Sequence, residues 1–592
     1  MELGRRITKY FLPYRGSLIL ISLLVILMAG MSALLPVIVS RGVDQLSSNR
    51  EQQLSWGIIS VVLAIGTTRW CANWLRRRLT VRAIAGVILG LAEHAFQSAI
   101  DHDLSFHDEY SSGRILSRIS SDTRDFGQLI EVITDVSAQF LEAAILAVIL
   151  FKIEWHLTLY MFSILPFVFI LSIFYRKVAR KITRRGMQAM ADVNAMIKET
   201  ISGIFIAKNF RQESSLLIDF ERANTLSYRV NFRRGLVLSV VFPTLNIIGG
   251  AVTALLVYTG GLSVVAGVIT AGSWYLFLLS LDSFLYPMLS LSSFFTQVQA
   301  GLAAAERVFA LIDAPHSIIQ AGSEPVEELK GEIEFRNLNL RYREDEPVLE
   351  DFNLRILPGE SIALVGHTGA GKSSVARLIA RFYEYQSGEL LIDGKSIRSL
   401  NLEEYRKHLG IVTQTPFLFR GTVADNIRYS RPQVTDAEII TYAKKVGNGE
   451  WLETLPDGIN TQVGERGSLL SMGQRQLVVL LRVLIQQPEI FILDEATASI
   501  DPFTEWQIHQ ALKLILQRST SILIAHRLST VKSADRIIVM QQGRIIEQDN
   551  HAKLMVKGGH YAELYNTYFR HQSLDYRPAG LNEYLGDKRR AV

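Results

Sequence analysis

The chain has 592 residues, is 48% hydrophobic and has a mean hydropathy of +0.19, which is too long for one core and too apolar for an ordinary soluble protein. Its one cysteine, Cys71, excludes an internal disulfide and any cysteine-rich metal site. A formal net charge of +5 would suit nucleic acid, but the cations stand beside apolar runs, the pattern of a chain oriented in a bilayer.

Apolar runs near residues 17–39, 54–75, 132–153, 155–176, 236–260 and 273–297 each reach the roughly 20 residues needed to cross a bilayer. The first lacks a small-residue cleavage pattern and follows Arg5, Arg6 and Lys9, so it is expected to be a retained span with its start in the cytoplasm. Positive charge recurs after the second run (Arg76, Arg77, Arg78, Arg82), after the fourth (Arg176 to Arg185) and before the fifth (Arg233, Arg234). Six spans leave those loops inside, with both termini cytoplasmic. The two long internal connections, 76–131 and 177–235, are charged and helically periodic, so the membrane helices are expected to continue into the cytoplasm. Arg69, Glu142 and Asp282 are polar residues within spans; the alternatives are that they line a path, that they pair between helices, or, for Arg69 and Asp282, that they lie near the membrane surfaces.

Composition changes at Ala314-Pro315, and a stretch with Pro325 and several glutamates runs to Lys330. The expected division is a six-span helical domain over 1–313, a linker over 314–330, an α/β domain over 331–574 and a tail over 575–592 without periodicity. Within the α/β part, short strand-like runs at 333–335, 362–365, 390–392, 490–493, 521–524 and 537–540 alternate with helical stretches, which predicts a largely parallel sheet.

The strand Ile362-Ala363-Leu364-Val365 leads into Gly366-His367-Thr368-Gly369-Ala370-Gly371-Lys372-Ser373, followed by Ser374 and a helical run. The glycines let backbone N–H groups cradle phosphate oxygens, Lys372 reaches the β and γ phosphates, and the Ser373 hydroxyl is placed to ligate Mg²⁺. The helix N-terminus adds its positive dipole end. The strand Ile490 to Leu493 ends in Asp494-Glu495: Asp494 is the metal-side acid, and Glu495 is placed to orient or deprotonate an attacking water.

This order of motifs, to about Phe569, resembles the ATP-binding cassette (ABC) transporter family, most nearly the bacterial MdlB-type multidrug-like half-transporters of heterodimeric exporters. The resemblance implies an N-terminal all-α six-helix transmembrane domain of the type I/IV exporter kind, followed by an α/β P-loop nucleotide-binding domain. It assigns Tyr342 to stacking on adenine, Gln414 to the metal and to sensing the γ phosphate and the membrane domain, and His526 to a γ-phosphate contact. Ser471, Met472, Gly473 and Gln474 match the signature, whose helix N-terminus caps the nucleotide of the opposite subunit, and Asp501 matches the loop crossing between subunits. Thr461 to Gly467 resembles the segment that exporters carry ahead of the signature.

Where the family usually has Gly-Gly, this chain has Met472-Gly473. In heterodimeric exporters an irregular signature accompanies a retained catalytic glutamate, so a different partner half is expected, with a homodimer as the alternative. The implied function is ATP-driven export of hydrophobic or amphipathic compounds (drug-like, lipid or lipopeptide) across a bacterial plasma membrane, with ATP and Mg²⁺ and without nucleic acid. The alternatives are a homodimeric lipid flippase and an ATP-gated channel or sensor. Ser111 to Arg118 with Asp122, and Asn209 to Glu213, resemble the family's coupling regions.

Overall fold

The computed structural model describes residues 2–48, 56–163, 165–343, 346–494, 500–524 and 528–569. Residues up to Asp101, with Tyr110–Ala314, form one compact unit; His102–Glu109 groups with the chain from Pro315 onward in the other. The tail expected at 575–592 lies outside the described residues.

The first unit is entirely helical. Its elements are α1 (Glu2–Phe11), α2 (Arg15–Ser48), α3 (Trp56–Asp101), α5 (Ser112–Ser117), α6 (Thr123–Ile153), α7 (Trp155–Phe162), α8 (Leu165–Ser202), α9 (Ile204–Asn209), α10 (Glu213–Ser239), α11 (Val241–Val265) and α12 (Ala271–Ile312), with α4 (Leu104–Glu109) falling in the second unit. Among the described residues five helical stretches are long and apolar enough to cross a membrane: Leu3–Ser47, Trp56–Asp101, Ser112–Ile153, Trp155–Ser202 and Asn246–Val265. The remaining apolar run, 273–297, lies within α12, one helix of 42 residues.

Lipid offers no hydrophobic drive for helices to associate, so small residues and polar pairs must hold them together. Within the second span the buried residue of α3 is Ala72, and beyond it, on its continuation, the same helix buries Thr80, Ala83, Val87, Leu91, Ala95 and Ala99 at helical spacing. On α6, a Cβ added at Gly127 would stand 2.5 Å from Ile88 Cδ1. Between α6 and α12, Ser290 Oγ donates to Gln139 Oε1 at 2.8 Å, and Ser283 Oγ to Glu142 Oε1 at 3.4 Å. Glu142 is thus a half-buried helix-pairing group, while Arg69 and Asp282 are exposed. Arg76 is buried and reaches Asp135 at 2.7 Å and Asn73 at 3.1 Å, so the arginine cluster after the second span is not uniformly solvated.

Asp122 is buried where a π turn (Arg118–Asp122) joins α6, and Arg307 of α12 grips it with two N–H groups at 2.9 and 2.6 Å. That bidentate contact raises the pKa of Arg307 above its ordinary value.

The second unit has two sheets. β1 (Ile333–Arg343), β2 (Glu346–Ile356), β4 (Ser387–Ile392) and β5 (Lys395–Ser396) form an antiparallel sheet in the order β2-β1-β4-β5. β3 (Ser361–Val365), β6 (Leu409–Val412), β7 (Ile490–Asp494), β8 (Thr520–Ile524), β9 (Arg536–Gln541) and β10 (Arg544–Asp549) form the other, ordered β10-β9-β3-β8-β7-β6. All its neighbours are parallel except β10 on β9. The expected parallel sheet is present over the runs 362–365, 490–493, 521–524 and 537–540, whereas the expected strands 333–335 and 390–392 belong to β1 and β4 of a separate antiparallel sheet.

Strands buried on both faces read as continuous apolar runs, and their side chains must feed two cores. Ile362, Leu364, Ile490, Ile492, Ile522 and Ile524 point to a core shared with the antiparallel sheet and the helix Lys372–Ile379 (α13). The alternate residues Ala363, Val365, Phe491, Leu493 and Leu523 point to a core shared with the helices Met472–Gln486 and Pro502–Leu516.

The stretch that packs within this unit from the N-terminal half is His102–Glu109, just ahead of the 111–118 segment named from sequence. Asp103 accepts the N–H groups of Ser317 (2.6 Å) and Ile318 (3.0 Å), and Asp108 accepts the Tyr383 hydroxyl. His102 stacks on Phe106 with ring centroids 4.3 Å apart.

Replacing Asp122 by Ala leaves the Arg307 guanidinium without its anchor, and the expected loss is about 1–3 kcal/mol. Thermal unfolding of the detergent-solubilised chain checks it, with a fall of a few degrees expected and Asp122→Glu nearer the parent.

Candidate functional site

The registers of the parallel sheet bring its C-terminal strand ends to one edge. Leu364 of β3 pairs with Ile524 of β8, Asp494 of β7 is level with Ile524, and Val412 of β6 pairs with Leu493. The phosphate loop therefore begins two residues beyond Leu364, Asp494 stands at the same edge, and Gln414 follows Val412 by two residues as an exposed side chain. Glu495 and His526 continue β7 and β8 in the chain and lie outside the described residues.

The loop's shape is set by glycines. Gly366 has φ 150°, and a Cβ there would meet the Met540 carbonyl oxygen at 2.2 Å. Gly371, at φ 95°, is the N-cap of α13, where a Cβ would press on Leu349 Cδ2 at 2.9 Å. Around Gly369 a Cβ would meet nothing within 4 Å, so the crown of the loop (His367, Thr368, Gly369) opens to space. Ala370, Gly371, Lys372 and Ser374 are buried, and Ser373 is half-buried in the first turn of α13.

Lys372 Nζ donates to the carbonyls of Gly366 (2.7 Å) and His367 (2.9 Å). The lysine therefore sits under the loop that it is expected to serve. Burial lowers its pKa, and the nearby Asp494 carboxylate opposes that shift.

Tyr342, at the end of β1, donates its hydroxyl to Ser374 Oγ at 3.0 Å and keeps 40% of its surface exposed. Its ring meets Tyr383 edge to face, with centroids 4.9 Å apart, and Arg377 lies over the Tyr383 ring at 5.5 Å. Sequence reasoning missed Tyr383; the available signal was an aromatic four residues past α13, beside the expected adenine platform.

Ser471 opens the signature helix with a capping box. Its Oγ accepts the Gln474 N–H at 3.2 Å, and Gln474 Oε1 accepts the Ser471 N–H at 2.9 Å. The Ser471 carbonyl takes the Arg475 N–H, and Gln474 Nε2 reaches Thr454 at 3.0 Å. Met472 is the first helical residue and is 38% exposed. Gly473 is buried, and a Cβ there would strike Thr504 Cγ2 at 2.4 Å, so the glycine lets this helix approach the helix Pro502–Leu516. Asp501 is the N-cap of that second helix and accepts the Thr504 N–H at 2.9 Å, which lowers its pKa. Thr461 to Gly467 ends at Gly467, at φ 77° against Arg475.

A phosphate loop, an acid at the end of β7 one strand removed, and a separate helical unit with five membrane-length stretches among the described residues define the class: a P-loop ATPase joined to a membrane domain. The profile of the ABC transporter transmembrane region matches residues 18–288, and the ABC transporter profile matches residues 349–498. The ABC transporter ATP-binding protein YknV of Bacillus subtilis is 35% identical over 570 residues, 94% of this chain and 93% of its own. The ATP-dependent lipid A-core flippase of Legionella pneumophila (strain Paris) is 34% identical over 503 residues, covering 84% of this chain and 83% of its own. YheH of Bacillus subtilis, named for multidrug resistance, is 35% identical over 486 residues, 81% of this chain and 72% of its own. The chain belongs to the ABC transporter family, as a multi-pass, ATP-hydrolysing half-transporter of the exporter kind.

Gly473→Ala is expected to cost about 1–3 kcal/mol, because the methyl must displace Thr504 or spread two packed helices. Gly473→Ala combined with Thr504→Ser, which removes the struck methyl, is expected to recover most of the loss in thermal unfolding.

Proposed function

We propose that two half-transporters clamp ATP at this strand edge and that its hydrolysis drives export of hydrophobic or amphipathic cargo from the cytoplasm or inner leaflet of a bacterial plasma membrane. Both termini and the nucleotide-binding domain are cytoplasmic in this reading, because the basic connections flank the same side of the spans. The observation that carries it is the shared edge of β3, β8, β7 and β6, which aligns the phosphate loop with Asp494 and Gln414.

Backbone N–H groups from Gly366 to Ser374 receive the phosphates, and Lys372 exchanges loop carbonyls for β and γ oxygens. The exposed Tyr342 ring takes adenine by stacking. Ser373 and Asp494, with Gln414 beside them, offer the oxygen donors that Mg²⁺ prefers, and that ion would neutralise phosphate charge when bound. Glu495 holds and deprotonates the attacking water, while His526 and Gln414 read the γ phosphate. Signature residues Ser471 to Gln474 of the opposing chain close the site from the other side, and Asp501 begins the segment that runs between subunits.

Met472 is the reason to favour a different partner half. Its side chain stands where a glycine would let a phosphate come closest to the helix start, so this chain's signature serves a weak site while its own loop, Asp494 and Glu495 serve a competent one. A lipid cargo is the second reading, favoured by the relative named a lipid A-core flippase. Movement of labelled lipid between leaflets of reconstituted vesicles distinguishes it from accumulation of a soluble dye.

Glu495→Gln is expected to retain ATP binding while hydrolysis falls at least a hundredfold in the dimer purified with its natural partner; unchanged turnover removes Glu495 from the role of base. Identification of the co-purifying chain checks the partner: a companion with an intact Gly-Gly signature and no catalytic glutamate is expected, and a second copy of this chain overturns it.

A further inference from the structure

From Ala271 to Ala305 the chain carries a single charged residue, Asp282. α12 runs unbroken from Ala271, capped by Thr270, so Asp282 lies roughly 17 Å along the helix from its first residue at 1.5 Å per residue. In a hydrocarbon layer of about 30 Å that depth is near the middle, not at a surface. A carboxylate there is expensive unless it faces a cavity or a counter-charge.

Among the described residues Asp282 has no counter-charge: it is exposed and makes no hydrogen bond or ion pair with any of them. Glu142, its neighbour in depth, is different, being turned into the α6–α12 contact and bonded to Ser283. Around Asp282 the exposed face of α12 holds Tyr275 (41% exposed), Leu279 (41%) and Tyr286 (60%). Steps of four, three and four residues keep these on one stripe, with Tyr286 one turn from the carboxylate. Pro287 lies inside the helix and has no N–H for the Ser283 carbonyl, so one more oxygen beside Asp282 is left without its helical donor.

Resting on the exporter reading, we propose that this stripe is a cation-recognition site on the export route: Asp282 supplies the charge, Tyr286 and Tyr275 supply ring faces, and the substrate class is an organic cation of amphipathic character. A delocalised cation suits all three groups, because aromatic faces attract positive charge most when water is excluded. The stripe carries no cationic side chain to attract an anion.

The test uses the full chain with the partner half it assembles with, in inside-out vesicles, and a size-matched pair of ions, tetraphenylphosphonium and tetraphenylborate. ATP-dependent accumulation of the cation is expected to exceed that of the anion about tenfold, to fall about tenfold in Asp282→Asn, and to be largely kept in Asp282→Glu. Equal handling of the two ions by the parent protein, a preference for the anion, or unchanged cation accumulation in Asp282→Asn overturns the proposal. The comparison within the parent stands even if the Asn variant fails to fold, and Tyr286→Leu, expected to weaken cation accumulation severalfold, gives a second variant. Arg69, the charged residue of the apolar run 54–75, is the rival partner for Asp282 across the dimer. If Arg69→Gln with Asp282→Asn recovers what each single change loses, the carboxylate is a helix-pairing group and the proposal fails. Movement of labelled phospholipid without either ion sinks the cation site and leaves the exporter standing; hydrolysis with no cargo moved at all sinks the exporter reading itself.

Discussion

Parallel register is the constraint on which the nucleotide site depends. Four strands laid side by side in the same direction must end together, and whatever follows each of them is delivered to one line. Leu364, Ile524 and Asp494 are level across three of those strands, and Val412 is one step behind. The register in turn is fixed by burial. Each strand alternates between two cores, so a slip of one residue would exchange every side chain between the two faces.

The membrane unit rests on a different principle, because lipid offers no apolar reward for helix contact. Its contacts are made by alanine and glycine at close approach and by a few polar pairs. Arg76 with Asp135 and Arg307 with Asp122 join helices that are far apart in sequence. Asp122 and Arg307 lie beyond the apolar runs, and Arg76 and Asp135 lie at the ends of two of them, Asp135 just inside the run 132–153, which keeps the charges where water can still share their cost. Asp282 stands apart from these pairs, since none of the described residues compensates it.

Legibility in the sequence followed the strength of the local signal. The apolar runs of β3, β7, β8 and β9 and the glycine-rich loop were readable because continuous burial and positive φ each restrict residue type severely. The antiparallel sheet was harder: β1 and β2 alternate polar with apolar residues and contain bulges, as at Phe335 to Leu338, so period-two reasoning catches only fragments. Asp501 and Gly473 were read as residues facing another subunit, yet each also has work within the chain, as an N-cap and as the gap between two helices. The His102–Glu109 stretch escaped notice because its attachment runs through the backbone N–H groups of Ser317 and Ile318, and amide donors leave no trace in residue identity.

The capping box at Ser471 has a bearing on what the methionine after it can do. Of the four amides left over at this helix start, those of Gln474 and Ser471 are already taken, by the Ser471 hydroxyl and by Gln474 Oε1. Two remain, on Met472 and Gly473, and both belong to the main chain. An arriving anion would thus find the same pair of donors whether a glycine or a methionine occupied the first position. The larger side chain can only narrow the approach, so its effect on ligand capture is one of clearance and graded with bulk, leaving the electrical attraction of the helix start intact.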